Sequence, residues 1–386
     1  MLKTYKYRVY PNAEQEVSLQ QQFGCVRWVY NWGLETKIQF YQEYKKGVSF
    51  FDLVLMLPFL KEELPWLKDC YSQALQASLL HLDNAFKCFF REKKGFPNFK
   101  KRSNRKSLEY ASWIQVDFTT SFIKVPKLGL VRAVFDRQFE GKIKTCTLVQ
   151  VPSGKYFMSI MVDNGKELPL KPDIKCETSL GIDFGINNFI TCSDGTKVIN
   201  PKHHKRLDKR IRCLNRRRSH KQKGSKNRNK ARVRTAKKHE KVVNQRQDFL
   251  HKLSHQIVCK SQADTIVIEN LNIAGMVKNR KLSRALSESS WNRFERMLKY
   301  KCDWYGKNLI YIGRFEPSSK MCSSCGTLNQ ELTLSTCMWT CACGALHDRD
   351  INAAINIKQF GLIRQNLISL KPPTDRGVEP AEMSTS

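Results

Sequence analysis

The sequence predicts an α+β multidomain protein: a small β-barrel interrupted by a helical domain, then a second α/β domain with a compact cysteine-rich insertion. Three observations predict it. A lone strand at 4–10 is separated from a β-rich stretch, 108–166, by a long run of helical periodicity. Two apolar strand-like segments each end in an acid, Ser179-Leu180-Gly181-Ile182-Asp183 and Thr265-Ile266-Val267-Ile268-Glu269. Two close thiol pairs, Cys322/Cys325 and Cys341/Cys343, follow near the C-terminal end.

The first strand ends at Pro11-Asn12, and helical spacing takes over at Glu14. Helices are predicted over 14–40, 51–57 and 71–90; the last places Leu75, Leu79, Leu82 and Phe86 on one face, which marks them as core. Gln76 lies off that stripe and is a candidate nucleic-acid contact. Gly95-Phe96-Pro97 ends the helix, and a basic run, 100–106, follows. From 108 to 166 short Val-, Ile-, Phe- and Tyr-rich runs alternate with turn residues at Gly129, Gly141 and Ser153-Gly154. The first strand has no partner nearby in sequence, so it is expected to join this later group. Residues 167–177, with two prolines, form a linker.

After Asp183 the chain is expected to turn at Gly185-Ile186-Asn187 and return as a strand over 188–192. Between Lys202 and Arg246 there are twenty Lys or Arg against only Asp208 and Glu240. A solvated helical hairpin would intersperse acids to limit repulsion. Their scarcity predicts two helices lying along a nucleic-acid backbone, with Arg216, Arg217 and Arg218 as phosphate contacts. Helices are further expected over 249–261 and 291–305, and a strand over 309–315.

Four thiols in two pairs, fifteen residues apart, suit a tetrahedral structural zinc, and the glycine after each pair lets the chain wrap round the metal. Cys337 is a neighbouring decoy or substitute ligand. Asp183 and Glu269 should surface at strand ends while the apolar residues before them stay buried. Asp350 opens an amphipathic helix whose small residues, Ala353 and Ala354, allow it to press on a sheet; Asp348 competes for the same role, and Asp348 or His347 can serve as an N-cap or supporting group. Three carboxylates so placed match the metal ligands of an RNase H-like nuclease, where divalent cations are held in line with a phosphodiester.

Composition agrees. The chain has 386 residues, 67 Lys and Arg against 35 Asp and Glu, and a net charge of +32. A surplus that large implies a polyanionic partner. The first residues are charged and alternating, unlike a secretory signal, and no apolar run is long enough to span a bilayer. No membrane association and a cytosolic location are expected. The remaining cysteines are scattered singly, which suits small buried hydrophobes in a reducing compartment.

Gly181-Ile182-Asp183-Phe184-Gly185, Ile268-Glu269-Asn270-Leu271, the paired cysteines and the run from His347 to Ile357 together resemble the TnpB family of transposon-encoded RNA-guided DNA endonucleases. Tyr7-Arg8-Val9-Tyr10-Pro11-Asn12 and Gly24-Cys25-Val26-Arg27-Trp28-Val29-Tyr30-Asn31 are similar too. The resemblance implies a wedge barrel (1–12 and 105–170), a helical recognition domain (13–104), a RuvC nuclease domain (178–316 and 347–370), a zinc ribbon (317–346) and a flexible tail (371–386). It implies Asp183, Glu269 and Asp350 as catalytic ligands of Mg²⁺ or Mn²⁺, and Cys322, Cys325, Cys341 and Cys343 as zinc ligands. It also implies a transposon-derived guide RNA, a double-stranded DNA target read beside a short adjacent motif, and a functional association with the element's transposase. Cys341-Ala342-Cys343 departs from the commoner Cys-x-x-Cys. Two other readings share these residues: a nuclease-inactive RNA-guided repressor, expected to lack one of the acids, and a transposase proper.

Overall fold

In the computed structural model the described residues are all except 104, 112, 277–282, 284–288, 334–335 and 369–386; the tail expected at 371–386 lies outside them. The chain divides into two compact units, Met1–Glu167 with Arg232–Lys237, and Leu168–Ala231 with Lys238–Ser386.

In the first unit, β1 (Leu2–Tyr10) buries Tyr7 and Val9 on one face, as its alternation requires. Asn12 then caps α1 (Ala13–Tyr44): its side chain accepts from the Gln15 amide at 2.8 Å while the Gln15 side chain accepts from the Asn12 amide at 3.0 Å. Helices α2 (Phe50–Glu63) and α3 (Ser72–Glu92) follow, both longer than the periodicity indicates. Leu75, Leu79 and Leu82 of α3 are fully buried, and Phe86 packs partly buried against the same core. Each such side chain contributes about 1.5–3 kcal/mol by its burial.

Strands β2 (Lys106–Tyr110), β3 (Gln115–Asp117), β4 (Phe122–Val125), β5 (Gly129–Val134), β6 (Lys142–Gln150) and β7 (Tyr156–Asp163) complete a seven-stranded sheet ordered β2-β6-β7-β1-β5-β4-β3. β1 lies inside it, antiparallel to both β7 and β5. The small barrel expected here is a curled half-barrel, with β2 and β3 as its edges. Helices α1 and α3 pack against β2, which buries Leu108 and Tyr110.

In the second unit, β8 (Ser179–Phe184), β9 (Asn188–Cys192) and β10 (Lys197–Ile199) form an antiparallel meander. Helices α4 (His203–Ser219) and α5 (Lys226–His255) follow, and α5 runs directly into a wide helical turn, Gln256–Lys260, so the separate helix expected over 249–261 is its continuation. β11 (Thr265–Ile268) pairs parallel with β8, and β12 (Asn308–Tyr311), after α6 (Trp291–Tyr305), pairs parallel with β11. The strand expected over 309–315 ends early because the Gly313 amide turns to donate to Glu316 Oε1 at 3.0 Å. β13 (Met338–Thr340) and β14 (Leu346–Asp348) form a small hairpin, and α7 (Arg349–Ile363) closes the described chain.

All four residues of β11 and the first four of β8 are buried, as in strands covered on both faces. Ile182, Ile266 and Ile268 pack with Phe294 and Leu298 on one side. On the other, Val267 packs with Ile357 and Phe360 of α7. The helix comes unusually close there: a Cβ on Gly181 would sit 2.1 Å from the Ala354 carbonyl oxygen. Ala353 and Ala354 are fully buried, as their size anticipates.

Candidate active site and thiolate centre

Ile182 of β8 is in register with Ile268 of β11, so Asp183 and Glu269 leave adjacent parallel strands at the same height. Neighbouring strands lie about 4.8 Å apart, which sets the two acids side by side. Asp350 occupies the first turn of α7, the helix that packs across β8. The three carboxylates feel one another: burial, then the charges of Glu269 and Asp350, push the Asp183 carboxyl up to about 8, against the counteracting Arg349. Burial also raises Glu269, while the Ser318 hydroxyl, donating to Glu269 Oε1 at 2.6 Å, pulls the other way. Arg349 reaches Asp350 at 3.5 Å. A cluster of half-buried carboxylates of this kind suits a divalent cation with oxygen ligands.

Asp348 has a different job from Asp350. Its carboxylate accepts from the amides of Asp350 and Ile351, both at 3.1 Å, capping α7, and pairs with Lys197 at 2.6 Å.

The sulfurs of Cys322, Cys325, Cys341 and Cys343 lie within 4.8 Å of one another. Cys322 and Cys343 are 3.8 Å apart, and Cys325 and Cys341 are 3.6 Å apart. Four thiolates on one zinc at about 2.3 Å would stand about 3.8 Å from each other, so the donor set fits that metal. Thr327, whose hydroxyl is 3.3 Å away, draws Cys325 down to about 6, whereas burial pushes Cys341 up to about 12. Gly326 and Gly344, at φ of 81° and 85°, turn the chain in the left-handed region after each pair. The Gly326 amide donates to the Cys322 carbonyl at 2.9 Å and the Gly344 amide to the Cys341 carbonyl at 2.8 Å. The Cys-x-Cys pair is thus the same turn shortened by one residue. Cys337 is exposed and outside the cluster. His347, buried against Trp339, places Nε2 3.0 Å from the Cys322 sulfur, a supporting position.

Asn352 and Asn356, inside the run from His347 to Ile357, join the two centres. Asn352 Nδ2 donates to the Met321 carbonyl at 2.7 Å and its Oδ1 accepts from the Ser323 amide at 2.9 Å. Asn356 Nδ2 donates to the carbonyls of Ser318 and Met321 at 2.7 and 2.6 Å. Asparagine is a weak helix former, so two buried asparagines one turn apart on an otherwise apolar helix face were the available signal.

The other candidates stand apart from these centres. Arg216 and Arg217 are exposed in the last turn of α4, and Arg218 is half-buried beside them. Gln76 is exposed on α3, beside the buried Leu75. Of the scattered cysteines, Cys25, Cys70, Cys146, Cys192 and Cys302 are buried as expected, but Cys176 and Cys213 are exposed. No helix among the described residues is long and apolar enough to cross a membrane.

Residues 159–280 match the family OrfB_IS605, described as "Probable transposase"; 291–357 match "Cas12f1-like, TNB domain"; and 1–46 match a "Helix-turn-helix domain", although here those residues form β1 and α1. A Streptomyces pristinaespiralis protein named "Putative RNA-guided DNA endonuclease" is 39% identical over 367 residues, covering 93% of this chain and 89% of that protein. Escherichia coli (strain K12) "Putative RNA-guided DNA endonuclease InsQ" is 31% identical over 378 residues, covering 93% and 92%. The fold is also that of the protein in a Cas12f1–sgRNA–target DNA complex, with a TM-score of 0.56 at 13% identity over 93% of this chain and 98% of that one. With full-length relatives of this identity, and with the motifs of both centres set in one fold, the chain belongs to the OrfB_IS605 family, the TnpB family.

Proposed function

We propose that the protein is an RNA-guided DNA endonuclease of a transposable element, cutting double-stranded DNA beside a short target-adjacent motif by metal-dependent phosphodiester hydrolysis. One observation carries the reading: the β8–β11 register, which puts Asp183 and Glu269 at equal height with Asp350 on the helix above them. The names of the full-length relatives support it.

On this reading residues 178–316 and 347–370 are an RNase H-like RuvC domain, 317–346 a zinc ribbon, 1–12 and 105–170 the wedge, and 13–104 the recognition domain. Asp183, Glu269 and Asp350 would hold Mg²⁺ or Mn²⁺, which would supply Lewis acidity toward the phosphodiester and the attacking water. The chain's own residues do the rest. Ser318 fixes the Glu269 carboxylate, Arg349 offsets the charge at Asp350, and Asp183, raised by burial and by the charges of its two neighbours, would serve as a ligand in its ionised form. Zinc on the four thiolates holds the ribbon against α7. Arg216, Arg217 and Arg218, with Gln76, contact nucleic acid. The partners are a transposon-derived guide RNA, whose base pairing reads the target, and the DNA itself. The element's transposase is a functional associate, and the location is the cytosol.

The test is to purify the protein with RNA co-expressed from its own locus and present a plasmid library randomised beside the guide match, with Mg²⁺. A discrete RNA should copurify, and cut plasmids should share an adjacent motif. Copurification of heterogeneous nucleic acid, or guide-independent cutting, contradicts the reading; guided binding with intact plasmids favours the repressor.

A further inference from the structure

The basic run after α3, which the nuclease chemistry leaves unused, lines a pocket in the first unit. Its walls come from α1, α3, β2 and the segment between α3 and β2, and about 530 Å³ lies within them, counting the part open to solvent. The rim is cationic: Arg27, Lys100, Lys101, Arg102, Arg105 and Lys106. Glu109 is the acid of the lining, and it is taken by His81 at 2.9 Å, which holds its carboxyl below the usual range. No carboxylate among the described residues pairs with Lys100, Arg102 or Arg105.

Lys100 is the most constrained of these cations. The Asn31 side chain clamps its backbone from both sides, accepting from the Lys100 amide at 2.7 Å and donating to its carbonyl at 3.0 Å. Its ammonium stands 3.7 Å from the centre of the Tyr30 ring, and burial pulls its pKa down to about 8. A half-buried cation with an aromatic ring behind it and no anion in front costs stability unless an anion arrives. Phe23, Val26 and Ala77 on the floor leave an apolar surface suited to a sugar beside that anion.

We propose that this pocket seats a phosphodiester group of a bound nucleic-acid strand, with Lys100 as its central contact and Arg102 and Arg105 at the rim. The site depends on the nucleic-acid partner of the proposed function, not on cutting. Guide RNA and target DNA share this chemistry, so each is an arm of the test.

The full-length protein is titrated with a labelled RNA hairpin and, separately, with a labelled DNA duplex, over a range of salt. Lys100→Gln should weaken one of the two arms severalfold, independently of sequence, and lower the slope of log affinity against log salt by about one in that arm. The double variant Arg102→Gln/Arg105→Gln, at exposed positions that leave the fold intact, should lower the slope further. The arm that changes names the strand.

A second readout separates contact from scaffolding. The charged and titratable groups that line the pocket with Lys100 are Arg27 of α1, His81 of α3, Lys106 and Glu109 of β2, and Lys101, Arg102 and Arg105 of its own segment, with the Tyr30 ring against its ammonium. Tyr30 is raised by burial and stays neutral, and Glu109 stays ionised; Lys106 is lowered too, by burial first and then by neighbouring arginines, while Lys100 is brought to about 8, so Lys100 is expected to lose charge between about pH 7 and about pH 9, with Lys106 adding to any loss that Lys100→Arg leaves. Wild-type affinity should fall across that window, and Lys100→Arg should flatten the fall. Unchanged salt slopes in both arms for both variants overturn the site. If the wild-type protein binds neither probe, the nucleic-acid reading falls with it, whereas loss of cutting in Asp183→Asn leaves the site untouched.

Discussion

The Ser318 hydroxyl donates to Glu269 Oε1 at 2.6 Å, and the Ser318 carbonyl accepts from Asn356 of α7 at 2.7 Å. One residue thus ties an acid at a strand end to the helix that carries Asp350, just ahead of the first thiolate, Cys322. Removing the hydroxyl frees the Glu269 carboxylate to rotate and raises its pKa further. Ser318→Ala should cut about tenfold or more slowly in single-turnover cleavage, as losses of ligand-orienting partners do, while guide RNA binding is unchanged. Ser318→Thr, which keeps the hydroxyl, should recover most of the rate.

Zinc removal should act on cutting through the same frame. Asn352 and Asn356 hang the first cysteine turn on α7 by its backbone groups at Met321 and Ser323 and at Ser318, so collapse of the turn releases the N-terminal end of the helix. Cys325→Ser should lose zinc and lose cleavage by about two orders of magnitude or more at constant Mg²⁺, with RNA binding kept. Metal content by elemental analysis checks the first part. Zinc-free protein cutting at the wild-type rate would separate the two centres.

Gly181→Ala tests the close approach of α7. The added methyl meets the Ala354 carbonyl at 2.1 Å, and backbone cannot step aside as a flexible side chain can. Overpacking of this kind typically costs about 1–3 kcal/mol, and a backbone clash sits at the upper end. Thermal melting should fall by several degrees and cleavage should drop with it, since Asp350 moves with the helix. Gly24→Ala in α1, where nothing lies within 4 Å of the new methyl, should be neutral or stabilising by up to about 1 kcal/mol.

Asp183 sets a pH dependence of defined sign. Its folded pKa is raised to about 8 from 3.8, so the native state holds a proton that the unfolded chain releases. Its contribution to stability is therefore full below about pH 4 and lost progressively as pH rises to about 8. Asp183→Asn removes that loss. In metal-free buffer the variant should gain on wild type across this range, by at most about 1.4 kcal/mol per pH unit, in denaturant titrations at several pH values. A constant difference would mean that Asp183 is ionised throughout.

The acids and thiols are legible in the sequence because their cues are local: an apolar strand running into Asp183 or Glu269, and thiol pairs each followed by a turning glycine. The small residues of α7 and the buried stripe of α3 are legible through periodicity. Ser318, and what Asn352 and Asn356 bind, are not, because the partners are backbone groups and a carboxylate far away in sequence, which leave no pattern of residue types. The half-barrel form of the first sheet is hidden for a related reason: α1 and α3, which pack against β2, come from outside the β-rich stretch. Arg218 shows the limit of reading charge alone, since a basic run does not say which of its members turns inward.

The central claim is that Asp183, Glu269 and Asp350 cut but do not hold the nucleic acid. The most direct measurement is guided plasmid cleavage and guided DNA binding, side by side, for wild type and for Asp183→Asn, Glu269→Gln and Asp350→Asn, each loaded with the same RNA and Mg²⁺. Each variant should bind the target with near wild-type affinity and cut at a rate lower by about three orders of magnitude or more, about 4 kcal/mol of transition-state stabilisation. Any one of the three that cuts at the wild-type rate would contradict the account.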